Sequence, residues 1–308
     1  MRAEIQTAPT TAMEHVFYRM LGLGFLTLAK LKNLSVGYTR ARPFTPDDLE
    51  QAIAYDHRVV DEWIDALGQY AGVVDLQGKA VLELGPGADM GVGLRLLAEG
   101  ASRYSAIDVN DLVSSAPPDF YPAFLESLRP RGFPDEVLRV LADELRLSQE
   151  GKASRLDFQV RKDFSLTAAF GGPSFDLVCS QAAFEHFDDI DATIRDMSAV
   201  VRPGALLVAE VDLQTHTRWI RERDPLNIYR YPSRIYRLFN FRGIPNRIRP
   251  CRYREGLARH GWTDIQIYPL SQVSFQAADS ARPYIAPEFR GEDSEIHLLS
   301  IVICARRA

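Results

Sequence analysis

Residues 81–93, Val-Leu-Glu-Leu-Gly-Pro-Gly-Ala-Asp-Met-Gly-Val-Gly, limit the fold more tightly than any other part of the chain. The run VLEL is too short for a helix and ends in glycines, so it reads as a buried strand. Gly85 and Gly87 let the backbone turn and approach a ligand closely, and a helix is expected over 91–98, directly behind them. A second apolar run, RYSAID, ends in Asp108, roughly twenty residues on, where a carboxylate can hold two ribose hydroxyls. This is the opening of a doubly wound α/β sheet built around a nucleotide-type cofactor.

The spacing argues against a dinucleotide. That class favours G-x-G-x-x-G, with a helix N-terminus facing a pyrophosphate. Here Gly91 follows Gly87, and Asp89 stands near the helix start, where a second anion is repelled. Glu83 instead places a carboxylate beside the loop, which suits a cofactor with a cationic amino acid end, S-adenosylmethionine.

The chain has 308 residues, a formal net charge of -5, 46% hydrophobic and 25% charged residues, the balance of a soluble globular enzyme with a sizeable core. A negative net charge excludes bulk DNA or RNA as the acceptor, since that needs a basic field. Cys179, Cys251 and Cys304 are far apart and odd in number, which fits reduced thiols and a cytoplasmic location. Cys179 and Cys304 lie in apolar strand-like runs, as small buried hydrophobes do. The first residues lack the apolar core of a secretory signal. Residues 16–34 are rich in Leu, Phe and Met, but Arg19, Lys30 and Lys32 interrupt them, so stable membrane insertion is not expected. Such a helix packs on the body of the protein, covers the active site or lies on a membrane surface. A homodimer is compatible with the sequence and not specified by it.

Further elements follow in order. A Thr45-Pro46-Asp47-Asp48 start precedes a helix carrying Leu49, Ile53, Val60, Trp63, Ile64 and Leu67. Residues 111–155, with five prolines and helical stretches at 122–129 and 135–147, read as an insertion. Strands are expected at 156–161, 175–180 and 205–213, with a helix over 190–201 and a Val201-Arg202-Pro203-Gly204 turn before the third of these. After a helix and a turn at Gly261 come two more strands with no clear helix signal between them, which implies an antiparallel hairpin. The division expected is a helical N-terminal cap, 1–75, and a cofactor-binding domain, 76–308, with insertions at 111–155 and 217–250.

Glu83-x-Gly85-x-Gly87 with Asp108, together with the Pro-Gly turn before the fifth core strand, resembles class I S-adenosylmethionine-dependent methyltransferases of the type 11/12-like group. The resemblance covers residues 78–307, with Ala205 replacing a second glycine after Pro203-Gly204 and Asp89 standing where the family often has a third glycine. It implies a seven-stranded Rossmann-like sheet in the order 3-2-1-4-5-7-6, the last strand antiparallel. It further implies that Glu83 lies by the methionine end, that Gly85, Pro86 and Gly87 lie under the cofactor, and that Asp108 binds ribose. Asp163 is then expected by the adenine amino group and Phe164 against the ring, with Gln181 completing the cofactor set.

Methyl transfer from a sulfonium is an in-line displacement, so alignment of acceptor and methyl in a water-poor site contributes most. A hydroxyl acceptor also profits from a general base. His186, just beyond the fourth core strand, is the candidate, with Glu185 a weaker one because an ordinary carboxylate is too acidic. Asp212 and His216 can join His186 in a polar cluster, but a D-x-x-x-H pair more often bonds locally and no metal is expected. Residues 217–254 interleave Arg with Tyr, Phe and Trp, the chemistry of an anion clamp on an acceptor or of a solvated helix with an aromatic inner face. The expected function is methylation of a small-molecule or glycan-like acceptor at a hydroxyl oxygen. The alternatives are a peripheral membrane methyltransferase acting on a lipid or quinone, and a non-catalytic S-adenosylmethionine-binding protein.

Overall fold

The structure is a computed structural model that describes residues 3–36, 48–241 and 243–308. The elements run β1 (Glu4–Gln6), α1 (Ala12–Val36), α2 (Leu49–Ala71), β2 (Ala80–Leu84), α3 (Gly91–Ala98), β3 (Arg103–Asp108), α4 (Phe120–Ser127), α5 (Asp135–Gln149) and β4 (Leu156–Val160). They continue α6 (Leu166–Phe170), β5 (Phe175–Gln181), α7 (Ile190–Val200), β6 (Val201–Asp212), α8 (Arg218–Arg221), α9 (Ser233–Tyr236), α10 (Pro250–Arg259), β7 (Trp262–Val273), α11 (Phe275–Ala281) and β8 (Leu298–Arg307).

One sheet holds all eight strands in the order β1-β7-β8-β6-β5-β2-β3-β4. Every residue of β2 is buried, as a central strand covered on both faces requires. β8 runs antiparallel to both β6 and β7, and the other pairings are parallel. Without β1 the order is that of the expected seven-stranded sheet. The eighth strand is a correction: Glu4–Gln6 pairs with Ser271–Val273 at the sheet edge, inside a segment expected to be helical. Three residues are too few to show a period of two in sequence.

Alternation along the strands sorts the core into two layers. Along β6, Val208 faces a cluster with Val59, Val60, Trp63 and Leu67 of α2, with α3 and with the helical insertion. Leu207, Ala209 and Val211 face the opposite cluster, with Ile194 and Met197 of α7 and Tyr253 and Leu257 of α10. A third cluster joins Leu26 of α1 to Tyr229, Tyr231 and Tyr236 and to α11.

Local differences from expectation have physical reasons. The Val201–Gly204 turn is a bulge within β6: Phe175 pairs with Val201 and Leu177 with Leu206, and Gly204 takes φ +79°. β7 and β8 pair antiparallel as expected, but their link contains α11 and three single 3-10 turns, so it is no plain hairpin. Ser274 caps α11 by accepting from the Ala277 amide. A seven-residue helix has too little length to show helical periodicity. Of the expected start of α2, Thr45, Pro46 and Asp47 lie outside the described residues.

Candidate functional site

The strand order reverses between β2 and β5, which pair with each other while their connections leave in opposite directions. At such a point the loops after the strands part and leave a crevice. The crevice here is a cleft of about 660 Å³, and Glu83, Gly85, Pro86, Gly87, Asp108, Asp163, Phe164, Gln181 and His186 all line it. The structure therefore brings all nine predicted site residues to one cavity.

The loop after β2 forms its floor. Gly85 has φ +77° and Gly87 φ +81°, values that side chains resist. A Cβ on Gly85 would meet Ala183 at 2.8 Å, whereas one on Gly87 would meet nothing within 4 Å, so that backbone faces open space. Asp89 explains the missing third glycine: its Oδ1 accepts the Gly91 amide at 2.9 Å, so the start of α3 carries its own carboxylate and needs no phosphate. Glu83 is 1% exposed, and Tyr104 donates its hydroxyl to Oε2. Burial pushes the Glu83 carboxyl up to about 8, against the pull of that hydrogen bond, and the charge of Asp89 adds to the rise.

The remaining cofactor residues stand on neighbouring strand ends. Asp108 ends β3 and its Oδ1 accepts the Asn110 amide at 2.8 Å, which fixes the carboxylate against its own loop. Beyond β4, Arg161 donates to Asp163 at 3.0 and 2.9 Å, and that guanidinium, together with the Ser165 amide, holds the Asp163 carboxyl low. Phe164 sits at φ +49° with its ring 4.8 Å from that of Phe187. Gln181 ends β5 and accepts the Trp63 indole N–H at 3.0 Å, which ties α2 to the cleft.

His186 lies on the Phe184–His186 3-10 turn. Burial holds its imidazole down to about 4, with His216 next in effect, so the ring is neutral at pH 7. Asn246 fastens this turn: its amide donates to the Glu185 carbonyl at 2.7 Å, and its Nδ2 to the carbonyls of Phe184 and Phe187 at 2.8 and 3.1 Å. Glu185 is 2% exposed, and burial raises its carboxyl well above the usual range, with Asp212 adding to it. Asp212 stays close enough to act on both imidazoles, but Arg221 takes its Oδ2. Glu185, His186 and His216 gather instead.

Several cleft-lining positions carry no signal in the sequence. Tyr55, Asp56 and Val59 of α2 line the cleft, as does Gly243 from the 217–254 segment. Contacts this distant in sequence leave no local signal, although the helical spacing of 55, 56 and 59 on α2 is visible once the facing side is known. The anion clamp expected over 217–254 is corrected in part. Arg230, Arg247 and Arg249 are buried, and Arg247 and Arg249 donate to backbone carbonyls such as those of Ile228, Tyr231, Ser294 and Leu298. These guanidiniums brace the segment from within.

Comparison with protein families matches residues 54–266 to the family described as "Methyltransferase domain". Curated protein sequences give no match. Among solved structures, the chain is similar to a carbon methyltransferase, CurJ, at 15% identity and TM-score 0.42 over 93% of this chain, spanning 59% of that one. It is similar to an S-adenosylmethionine dependent methyltransferase from Mesorhizobium loti at 16% identity and TM-score 0.43, covering 80% of this chain and 100% of that one. It is also similar to a geranyl diphosphate C-methyltransferase from Streptomyces coelicolor A3(2), at 13% identity and TM-score 0.44, covering 87% and 86%.

Proposed function

The chain belongs to the methyltransferase-domain family, as a class I methyltransferase that uses S-adenosylmethionine, and on that premise we propose that it methylates a hydroxyl oxygen of a small-molecule or glycan-like acceptor. The residues suit the cofactor: a backbone cradle open at Gly87, a buried carboxyl at Glu83 that a cationic amino acid end would ionise, and Asp108 at the ribose position. Bound there, S-adenosylmethionine supplies the methyl group and leaves as the thioether. The proposed cofactor set is Glu83, Gly85, Pro86, Gly87, Asp108, Asp163, Phe164 and Gln181.

The observation that carries the oxygen reading is His186, an imidazole held neutral on the cleft wall beyond Gln181. We assign it to the acceptor hydroxyl and its proton. A conjugate acid near 4 makes a bare imidazole a weak base, below the range that best serves a general base at neutral pH. A second device that acidifies the hydroxyl therefore suits this site. The test is incubation with S-adenosylmethionine and matched alcohols, phenols, amines and carbon nucleophiles, with demethylated cofactor and product mass read together. Methyl ethers support the reading; products methylated on nitrogen or carbon alone overturn it.

A second reading is favoured by one observation. The outer side of α1 exposes Met13, Val16, Phe17, Met20, Leu28, Leu31 and Leu34. Among the described residues no helix is long and apolar enough to cross a membrane, but a surface helix of this kind can rest on one and bring a lipid or quinone acceptor to the cleft.

A further inference from the structure

The Phe184–His186 turn and the loop after β6 bring three ligating side chains together, with His186 on the cleft wall. One ligand atom from each of Glu185, His186 and His216 lies within 4.8 Å of the other two. The two imidazoles meet edge to face with centroids 4.9 Å apart. Glu185 is 2% exposed, yet among the described residues no side chain donates to its carboxylate, which has only the backbone amides of Glu185 and Asp212 beside it, and Nδ1 of His186 has no hydrogen-bond partner. Buried polar atoms are normally paired, and a cluster so short of partners needs a reason. Among the described residues the charged groups that act most on Glu185 are the anions Asp212 and Glu210, and the guanidinium of Arg221 is taken by Asp212.

We propose that Glu185, His186 and His216 bind one divalent transition-metal ion. Two imidazoles and a carboxylate suit zinc, cobalt, iron or manganese, whereas calcium and magnesium prefer oxygen ligands throughout. Bonds of about 2.0–2.2 Å in a tetrahedral set place ligand atoms roughly 3.4 Å apart, so side-chain rotations of about 1 Å close the site. Three protein ligands leave a coordination position open, and His186 lines the cleft.

For its chemistry, though not for its test, the inference rests on the hydroxyl-acceptor reading. A hydroxyl at the open position is acidified. Its O–H bond breaks and the proton leaves to water; the oxygen forms a bond to the methyl carbon as the carbon–sulfur bond breaks, its electron pair remaining on sulfur. His186 then acts on the hydroxyl and its proton through the ion that it ligates.

The test titrates metal-stripped full-length protein with Co2+ alone and follows its visible absorption, in the parent chain and in His216→Ala, Glu185→Gln and His216→Cys. One equivalent of cobalt is expected to bind the parent. His216→Ala and Glu185→Gln are expected to weaken binding by about 100-fold, while His216→Cys keeps the ion and adds thiolate-to-cobalt absorption in the near ultraviolet. S-adenosylmethionine affinity of each variant monitors folding, and His216→Cys carries the test if the alanine variant does not fold. No cobalt spectrum in the parent, or equal cobalt affinity in all four proteins, overturns the site. Cobalt bound as expected, with no methylation of hydroxyls, supports the site and overturns the acceptor reading alone.

Discussion

Glu83 is a carboxyl group that the fold keeps mostly protonated until something positive arrives. Its value of about 8 comes from burial, so the ammonium end of S-adenosylmethionine should ionise it and release a proton. Cofactor affinity is therefore expected to rise between about pH 6 and pH 8, with calorimetric heats that depend on the buffer, and Glu83→Gln should flatten both. The stability sign is opposite. A carboxyl raised in the folded state stabilises fully below its unfolded value and loses that contribution as pH rises through about 8, so the free protein's Tm should fall over this window relative to Glu83→Gln. If Asp108 holds the ribose as proposed, Asp108→Ala removes charge-assisted hydrogen bonds and should weaken binding by about 10- to 100-fold in the same calorimeter, without loss of fold. At this scale the sequence was readable wherever a residue's part is local: Gly85, Gly87 and Asp108 are placed by the strand ends that precede them. In sequence Asp89 is a repulsive charge near the helix start, and the fold turns it into the partner of the Gly91 amide. In sequence Glu185 is an ordinary surface acid, because the residues that meet it in the fold, Asn246 and Tyr253 among them, lie far along the chain.

Elements were legible in proportion to their length and to the depth at which they lie. β2, β3, β4 and β5 and helices α3, α5 and α7 follow from apolar runs and periodicity, whereas β1 and α11 are too short to leave one. The 217–254 segment misled in another way, because composition reports that arginines are present and not which way they point. Arg230 and Asp224 are both fully buried and joined by paired hydrogen bonds, with His15 of α1 on the same guanidinium. Arg230→Met leaves a buried carboxylate with the Asn227 amide but no counter-charge and should cost about 3–5 kcal/mol in urea denaturation, while adding Asp224→Asn should recover part of it. The same segment positions the proposed catalytic turn through Asn246. Asn246→Ala frees the Phe184 and Phe187 carbonyls around His186, while the backbone bond to Glu185 stays, and should lower kcat by about 10- to 100-fold with little change in KM for S-adenosylmethionine. A parallel rise in that KM would instead mean that the whole cleft had loosened.

Across the whole molecule, the two functional readings part over what α1 does. One sheet with covered faces supplies the cofactor cleft for either, and His15, Gly22 and Leu26 fix the inner side of α1 to the body of the protein, Gly22 lying against Asn227 and Tyr231. The outer side repeats apolar residues at 13, 16/17, 20, 28, 31 and 34, near-helical spacing, with Arg19 and Lys32 exposed on the same helix. Full burial of one such side chain is worth about 1.5–3 kcal/mol, so partial burial of several in an interface suffices for reversible binding. The membrane reading therefore expects the protein to float with anionic vesicles, more weakly as salt rises, because cations add a screened attraction. Replacing Phe17, Met20 and Leu28 with Gln should abolish flotation and spare turnover of water-soluble acceptors, since none of the three lines the cleft. Flotation that survives these changes would mean that another surface binds the vesicle. A parent chain that does not float removes the ground for a lipid or quinone acceptor, and the search for the hydroxyl substrate then belongs among soluble molecules small enough to enter a cleft of about 660 Å³ beside the cofactor.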